Sequence, residues 1–103
     1  MVVKDKRGRR RYIAFVLTQG GPITKSGLIT LLREASREYR IEEPRVIEFD
    51  GTKGIVRCGH LLKEETLAIL GSFSERKDGI EVKTLSTSGT LRKLREQYFN
   101  SEN

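Results

Sequence analysis

The sequence predicts an α+β fold of the ferredoxin-like, split βαβ kind: a β-α-β-β-α-β chain whose four-stranded antiparallel sheet carries two helices on one face, with a further helix at the C-terminus. Three observations predict it. An unbroken apolar run, Tyr12 to Leu17, follows Arg9-Arg10-Arg11 with no turn between them, as expected of a central strand buried on both faces. Two helix-period stripes flank a pair of short strands that share a glycine-rich connection. And 103 residues suffice for one core but not two, so residues 1–103 are read as a single domain, with 1–8 as a flexible basic arm.

In chain order, the first strand ends at Gln19-Gly20-Gly21-Pro22, a turn, and Thr24 is positioned to cap a helix. Leu28, Leu31, Leu32, Ala35 and Tyr39 fall on one stripe of that helix, opposite Lys25, Arg33, Glu34, Arg37 and Glu38, and Pro44 is expected to stop it. Arg45 to Asp50 alternates as a strand, with Ile47 and Phe49 on one side and Glu48 and Asp50 on the other. Asp50-Gly51-Thr52-Lys53-Gly54 then supplies a hairpin turn into a strand over Ile55 to Gly59. Leu62, Thr66, Ile69, Leu70 and Phe73 make the second helical stripe, with Glu64 and Glu65 favouring its first turn and Gly71 weakening its last. Ile80 to Ser86 reads as the fourth strand, and Thr90 to Phe99 as a helix with Leu91, Leu94 and Tyr98 on one face.

Strand parity adds a constraint. If Ile13, Phe15 and Leu17 face the two helices together with Val56 and Cys58, the opposite face presents Tyr12, Ala14, Val16, Ile55 and Arg57. That face is too apolar for water, so the C-terminal helix, another subunit, or both should cover it. Tyr12, Val16, Ile55, Leu91 and Tyr98 are accordingly the expected partner interface.

The charge is localised. Of the formal net +6, residues 1–11 contribute +5 through Lys4, Lys6, Arg7, Arg9, Arg10 and Arg11 against Asp5; residues 12–87 carry eleven charges of each sign, and residues 88–103 add +1. Basic ends on a neutral body favour an anionic partner, above all nucleic acid. The lone Cys58 permits no intrachain disulfide and fits a reducing, cytoplasmic setting. No apolar run approaches the length of a membrane span, and none resembles a signal peptide.

Enzyme signatures are weak. Cys58 and His60 lie two apart on a strand with no third orienting group, a metal site from Cys58, His60 and Glu64 would want further ligands, and no phosphate-binding glycine loop of the P-loop or dinucleotide type is present. RNA recognition fits better, since a sheet of this RRM-like topology can carry bases on its central strands and Lys53-Gly54 opens the third strand suitably. The following positions hold Ile55, Arg57 and His60 in place of stacking aromatics. Ser86-Thr87-Ser88-Gly89-Thr90 leads into a basic helix: the simpler reading is an ordinary N-cap made by its hydroxyls, the alternative a phosphate received by its backbone N–H groups beside Arg92, Lys93 and Arg95.

Arg11-Tyr12-Ile13-Ala14-Phe15, Ile47-Glu48-Phe49-Asp50 with Gly54-Ile55-Val56-Arg57-Cys58-Gly59-His60, and Ser88-Gly89-Thr90 before Leu91-Arg92-Lys93-Leu94 together resemble the archaeal ribonuclease P protein component 2 family. The resemblance runs along nearly the whole chain, though the Leu-Pro-Pro type lead-in that the family often has before the first strand is missing. It implies a non-catalytic protein subunit of ribonuclease P, the endoribonuclease ribonucleoprotein that removes the 5′ leader of precursor tRNA. Mg2+ would serve the RNA component, and no cofactor would be bound by the protein. Implied partners are the ribonuclease P RNA, precursor tRNA, protein component 3 and a second copy within a heterotetramer. On this reading Arg9, Arg10, Arg11, Arg57, Thr90, Arg92, Lys93 and Arg95 contact RNA. The alternatives are a free-standing single-stranded RNA-binding module of the same fold and, more remotely, a ligand sensor or acyl-phosphate hydrolase on a ferredoxin-like sheet.

Overall fold

A computed structural model of the chain describes residues 10–76 and 79–99. The basic arm over residues 1–8, and Arg9 with it, lies outside the described residues. The described elements are β1 (Arg10–Gln19), α1 (Lys25–Tyr39), β2 (Arg45–Phe49), β3 (Lys53–Gly59), α2 (Lys63–Gly71), a single turn α3 (Phe73–Arg76), β4 (Glu81–Ser88) and α4 (Leu91–Leu94), which runs on as a wider π-type turn over Arg95–Phe99. The strands form one mixed-chain-order antiparallel sheet, β2-β3-β1-β4, with β1 at its centre between β3 and β4.

Period-2 alternation along β1 divides the interior in two. Ile13, Phe15 and Leu17 point to one face, where they meet Leu28, Leu31, Leu32 and Ala35 of α1 and Ile69 and Leu70 of α2, with Val56, Cys58, Phe73 and Ile80. Ala14 points to the other face, where Ile55 and Leu94 are buried with it and Tyr12, Ile47, Leu85, Leu91, Tyr98 and Phe99 pack around them. Ile13, Ala14 and Phe15 are all fully buried. An uninterrupted apolar run is thus what a strand with a core on each side requires.

Helix α1 begins where the sequence indicates: the Thr24 hydroxyl accepts from the Gly27 N–H at 2.9 Å. It ends sooner than expected. Pro44 does not stop it; Arg40 does, in the left-handed region at φ 58°, donating from its backbone N–H to Arg37 O while Ile41 donates to Ser36 O. This is a Schellman closure. Tyr39, the last residue of the expected buried stripe, is consequently 40% exposed. Because a Cβ is strained in the left-handed region, Arg40→Gly should raise stability, by up to about 1 kcal/mol; thermal unfolding that shows a lower midpoint would contradict this.

Strand β2 departs from simple alternation. Val46 pairs with Val56 but Glu48 pairs with Ile55, so a bulge at Ile47 shifts the parity. Ile47 therefore packs into the second core while Phe49 joins the first, and the two do not share a side as alternation alone suggested. Phe49 stacks on Phe15, ring centroids 6.1 Å apart at 19°. Gly54 lies between them in the ladder, paired with both.

The hairpin is locked by Asp50, whose Oδ1 accepts from the backbone N–H of Lys53 (2.7 Å) and of Thr52 (3.0 Å) and from the Thr52 hydroxyl (3.3 Å). Gly51 takes φ 107°, a conformation an L side chain resists. The Lys53 N–H bond, first among these, holds the Asp50 carboxyl below its ordinary range against the opposing effect of burial. A lowered folded-state pKa means stability present above the unfolded value and lost as pH falls through the folded one. Asp50→Ala should cost about 1 kcal/mol at pH 7, and the gap between it and the parent chain should shrink in acid, below about pH 4; a gap independent of pH would contradict the assignment.

Candidate nucleic-acid interface

The arginines that precede the central strand do not act as a block, because alternation separates them. Arg11 shares the face of Ile13, pairs in register with Cys58, and is near enough to the last loop that a Cβ on Gly89 would meet its guanidinium at 3.0 Å. Arg10 belongs to the opposite face, with Tyr12 and Ala14.

On that opposite face the register brings further cations to the same end of the sheet. Arg57 on β3 is opposite Tyr12 on one side and Arg45 of β2 on the other, and Tyr12 is in turn opposite Ser88 of β4. Directly paired residues project to the same face. Arg45, Arg57, Tyr12 and Ser88 therefore form one row across all four strands, with Arg10 beside it. Arg10, Arg45 and Arg57 line a cleft of about 870 Å3 together with the segment from Cys58 to Leu62 and the loop Glu42-Glu43-Pro44. Arg45 was not anticipated from the sequence, where it reads as the first residue of an alternating strand. Its partner across the hairpin is the signal that identifies it.

The centre of the same face is closed by the C-terminal segment. Leu94 is 1% exposed against Ala14 and Ile55. Arg95 Nε bonds Glu48 Oε1 at 2.8 Å, tying the segment to β2. The Lys53 ammonium donates to Tyr98 O at 2.6 Å and lies 5.0 Å from the Phe99 ring centroid. Lys53-Gly54, suited by sequence to meeting a nucleic acid, is thereby engaged within the chain.

The remaining expected contacts are dispersed. Arg92 is exposed and forms an i,i+4 pair with Glu96 at 3.4 Å, and Lys93 is exposed beside it. Thr90 is exposed at the N-cap of α4 but makes no side-chain cap; its N–H donates to the Ser88 hydroxyl at 3.1 Å. The four-residue α4 offers too short a stack of peptide dipoles for a phosphate site by itself. Of the expected partner surface, Ile55 is fully buried beneath Leu94, so the chain itself takes up that side chain, whereas Tyr12, Val16, Leu91 and Tyr98 remain half-buried.

Cys58 and His60 lie in different settings. Cys58 is buried in the first core, and that burial pushes its thiol pKa up, against a hydrogen bond with Thr66 that lowers it. A suppressed thiolate is a poor nucleophile and a poor metal ligand. His60 starts a 3-10 turn, His60–Leu62, at the lip of the cleft.

No protein-family model matches the chain. Individual proteins do. It is 32% identical to a Pyrococcus horikoshii protein named ribonuclease P protein component 2, over 90% of this chain and 85% of that protein. The Pyrococcus abyssi protein of the same name is 30% identical, with 91% and 87% covered. That of Methanosarcina barkeri is 29% identical, with 92% and 76% covered.

Proposed function

Since this chain belongs to the ribonuclease P protein component 2 family, we propose that it works as a protein subunit of ribonuclease P, supporting through its basic sheet face the RNA that removes the 5′ leader of precursor tRNA. Family membership over nine-tenths of the chain carries this reading. The row Arg45-Arg57-Tyr12 with Arg10 supports the RNA contact: several guanidiniums at one end of a rigid sheet are what binding to a phosphate backbone demands.

The chemistry belongs to the RNA component with its Mg2+, and the protein is an activator. Support for this comes from Cys58, whose burial works against its use as a nucleophile. The fold is read as ferredoxin-like, on the strength of the β2-β3-β1-β4 order and of α1 and α2 sharing one core on one face. Pairing with protein component 3, and a second copy of this chain in a heterotetramer, are part of the proposal; Tyr12, Val16, Leu91 and Tyr98 retain surface for such contacts. No helix of the described residues is long and apolar enough to cross a membrane, and a buried free thiol fits the reducing cytoplasm to which we assign the assembly.

Affinity for ribonuclease P RNA should fall linearly in a log–log plot against salt, each phosphate neutralised adding about −0.9 to the slope for duplex or about −0.7 for single strands. Equal affinity for an unstructured RNA of the same length, with no partner protein present, would instead favour a free-standing single-stranded RNA binder.

A further inference from the structure

Arg45 and Arg57 face each other directly across β2 and β3, and neither has an ion-pair partner among the described residues. Like charges in that position repel and weaken a sheet. The fold therefore keeps an internal repulsion that an anion seated between the two guanidiniums would turn into attraction. Arg10 reaches the same cleft from β1.

The rest of the lining forms a wall of different character. Pro44, His60 and Leu61 line it, and Leu61 is 66% exposed, one of the two large apolar side chains so displayed among the described residues. Glu42 and Glu43 also border the cleft, but Glu43 Oε1 is turned to Arg33 Nε at 3.4 Å. Guanidiniums beside a partly apolar lining match a ligand with an anionic end and a flat apolar end.

Resting on the subunit reading above, the geometry points to a subsite for an unpaired nucleotide of the RNA, its phosphates on Arg45 and Arg57 with Arg10 alongside, and its base against Pro44, His60 and Leu61. A regular duplex would leave that wall unused, because its bases are stacked inside and only phosphates and groove edges face outward. An unpaired nucleotide can turn its base into the cleft while its phosphates stay on the strands. Arg45 thereby joins the RNA-contacting residues, and the cleft, rather than the C-terminal helix, carries the discrimination for unpaired RNA.

The test uses Leu61→Cys in the full chain, carrying a photoreactive group, bound to ribonuclease P RNA. The single native cysteine is buried, so labelling goes to the new thiol. The expected result is crosslinking to a few nucleotides that are chemically reactive as unpaired in the free RNA and protected in the complex. Adding Arg45→Ala and Arg57→Ala should abolish that crosslink and lower the salt slope by about 1.4, two single-strand phosphates. The same double variant without the label should melt no lower than the parent chain, since a repulsion has been removed; Arg45→Gln with Arg57→Gln repeats the measurement with side-chain length kept. Crosslinks to base-paired backbone, crosslinks to a partner protein, or none at all while the RNA stays bound would overturn the subsite and leave the subunit reading standing. Failure of the unlabelled parent chain to bind the RNA at all would overturn both.

Discussion

Replacing Gly54 with valine should destabilise the chain by about 3 kcal/mol, at the upper end of what overpacking a core costs, and lower the melting midpoint by about 10–20 °C for a domain of this size. The reason is local. A Cβ built at Gly54 would come within 2.8 Å of Glu48 O, of Phe15 Cζ and of Phe49 Cδ1 at once. Two of these atoms belong to the stacked Phe15–Phe49 pair that closes over the glycine, and the third is backbone of the neighbouring strand. Glu48 O cannot withdraw without opening the ladder between β2 and β3, and the two rings are held in the packed first core. Gly71, around which a Cβ would meet nothing within 4 Å, is the control: Gly71→Ala in the last turn of α2 should be neutral or stabilising. Equal losses at both positions by thermal unfolding would show that close approach at Gly54 is not the cause.

Leu94→Ala should cost about 2–4 kcal/mol, as for other fully buried leucines. Its effect should also have a definite location. Leu94 is the one fully buried side chain that α4 contributes to the second core, against Ala14 and Ile55. A segment of nine residues has too little helix of its own to persist without that contact. Hydrogen exchange should therefore quicken across residues 91–99, while β1 and α1 retain their protection. The newly bared Ala14 and Ile55 would be an apolar patch, so weak self-association should accompany the change. Uniform loss of protection across the chain would mean that the two cores are not separable.

How far the sequence disclosed these features depended on whether one periodicity governed them. The double-sided burial of β1, the α1 stripe from Leu28 to Ala35, the Thr24 cap and the Asp50–Gly54 hairpin all follow from local pattern, and each is present. The need to cover the second face was likewise visible in Tyr12, Ala14, Ile55 and Arg57, and α4 meets part of that need. What was missed arose where one residue breaks a period. The bulge at Ile47 reverses the parity of β2, so Phe49 goes to the first core and Glu48 to Arg95. Arg40 ends α1 through a left-handed backbone that only glycine or asparagine would have advertised. The wide turn over Arg95–Phe99 is set by tertiary contacts to Glu48 and Lys53, which local propensity does not record.

The candidate site shows the same division. Arg10, Arg11 and Arg57 were conspicuous as charges, yet their grouping is decided by register, which sets Arg11 on the helix face and joins Arg10 and Arg57 with the unanticipated Arg45. A pairwise relation across a hairpin is invisible to a reading made along the chain. Arg95, by contrast, looked available in sequence and is committed to Glu48.

On the proposed function this chain is a protein subunit of a ribonucleoprotein whose RNA performs the cleavage. The most direct measurement is to purify the assembly from the source cell through a tag on this chain and assay removal of the 5′ leader from precursor tRNA, before and after digesting the co-purified RNA with nuclease. Leader removal that accompanies the chain and is lost on digestion is the result predicted; activity that survives digestion, or an assembly with no leader-removing activity at all, would contradict it.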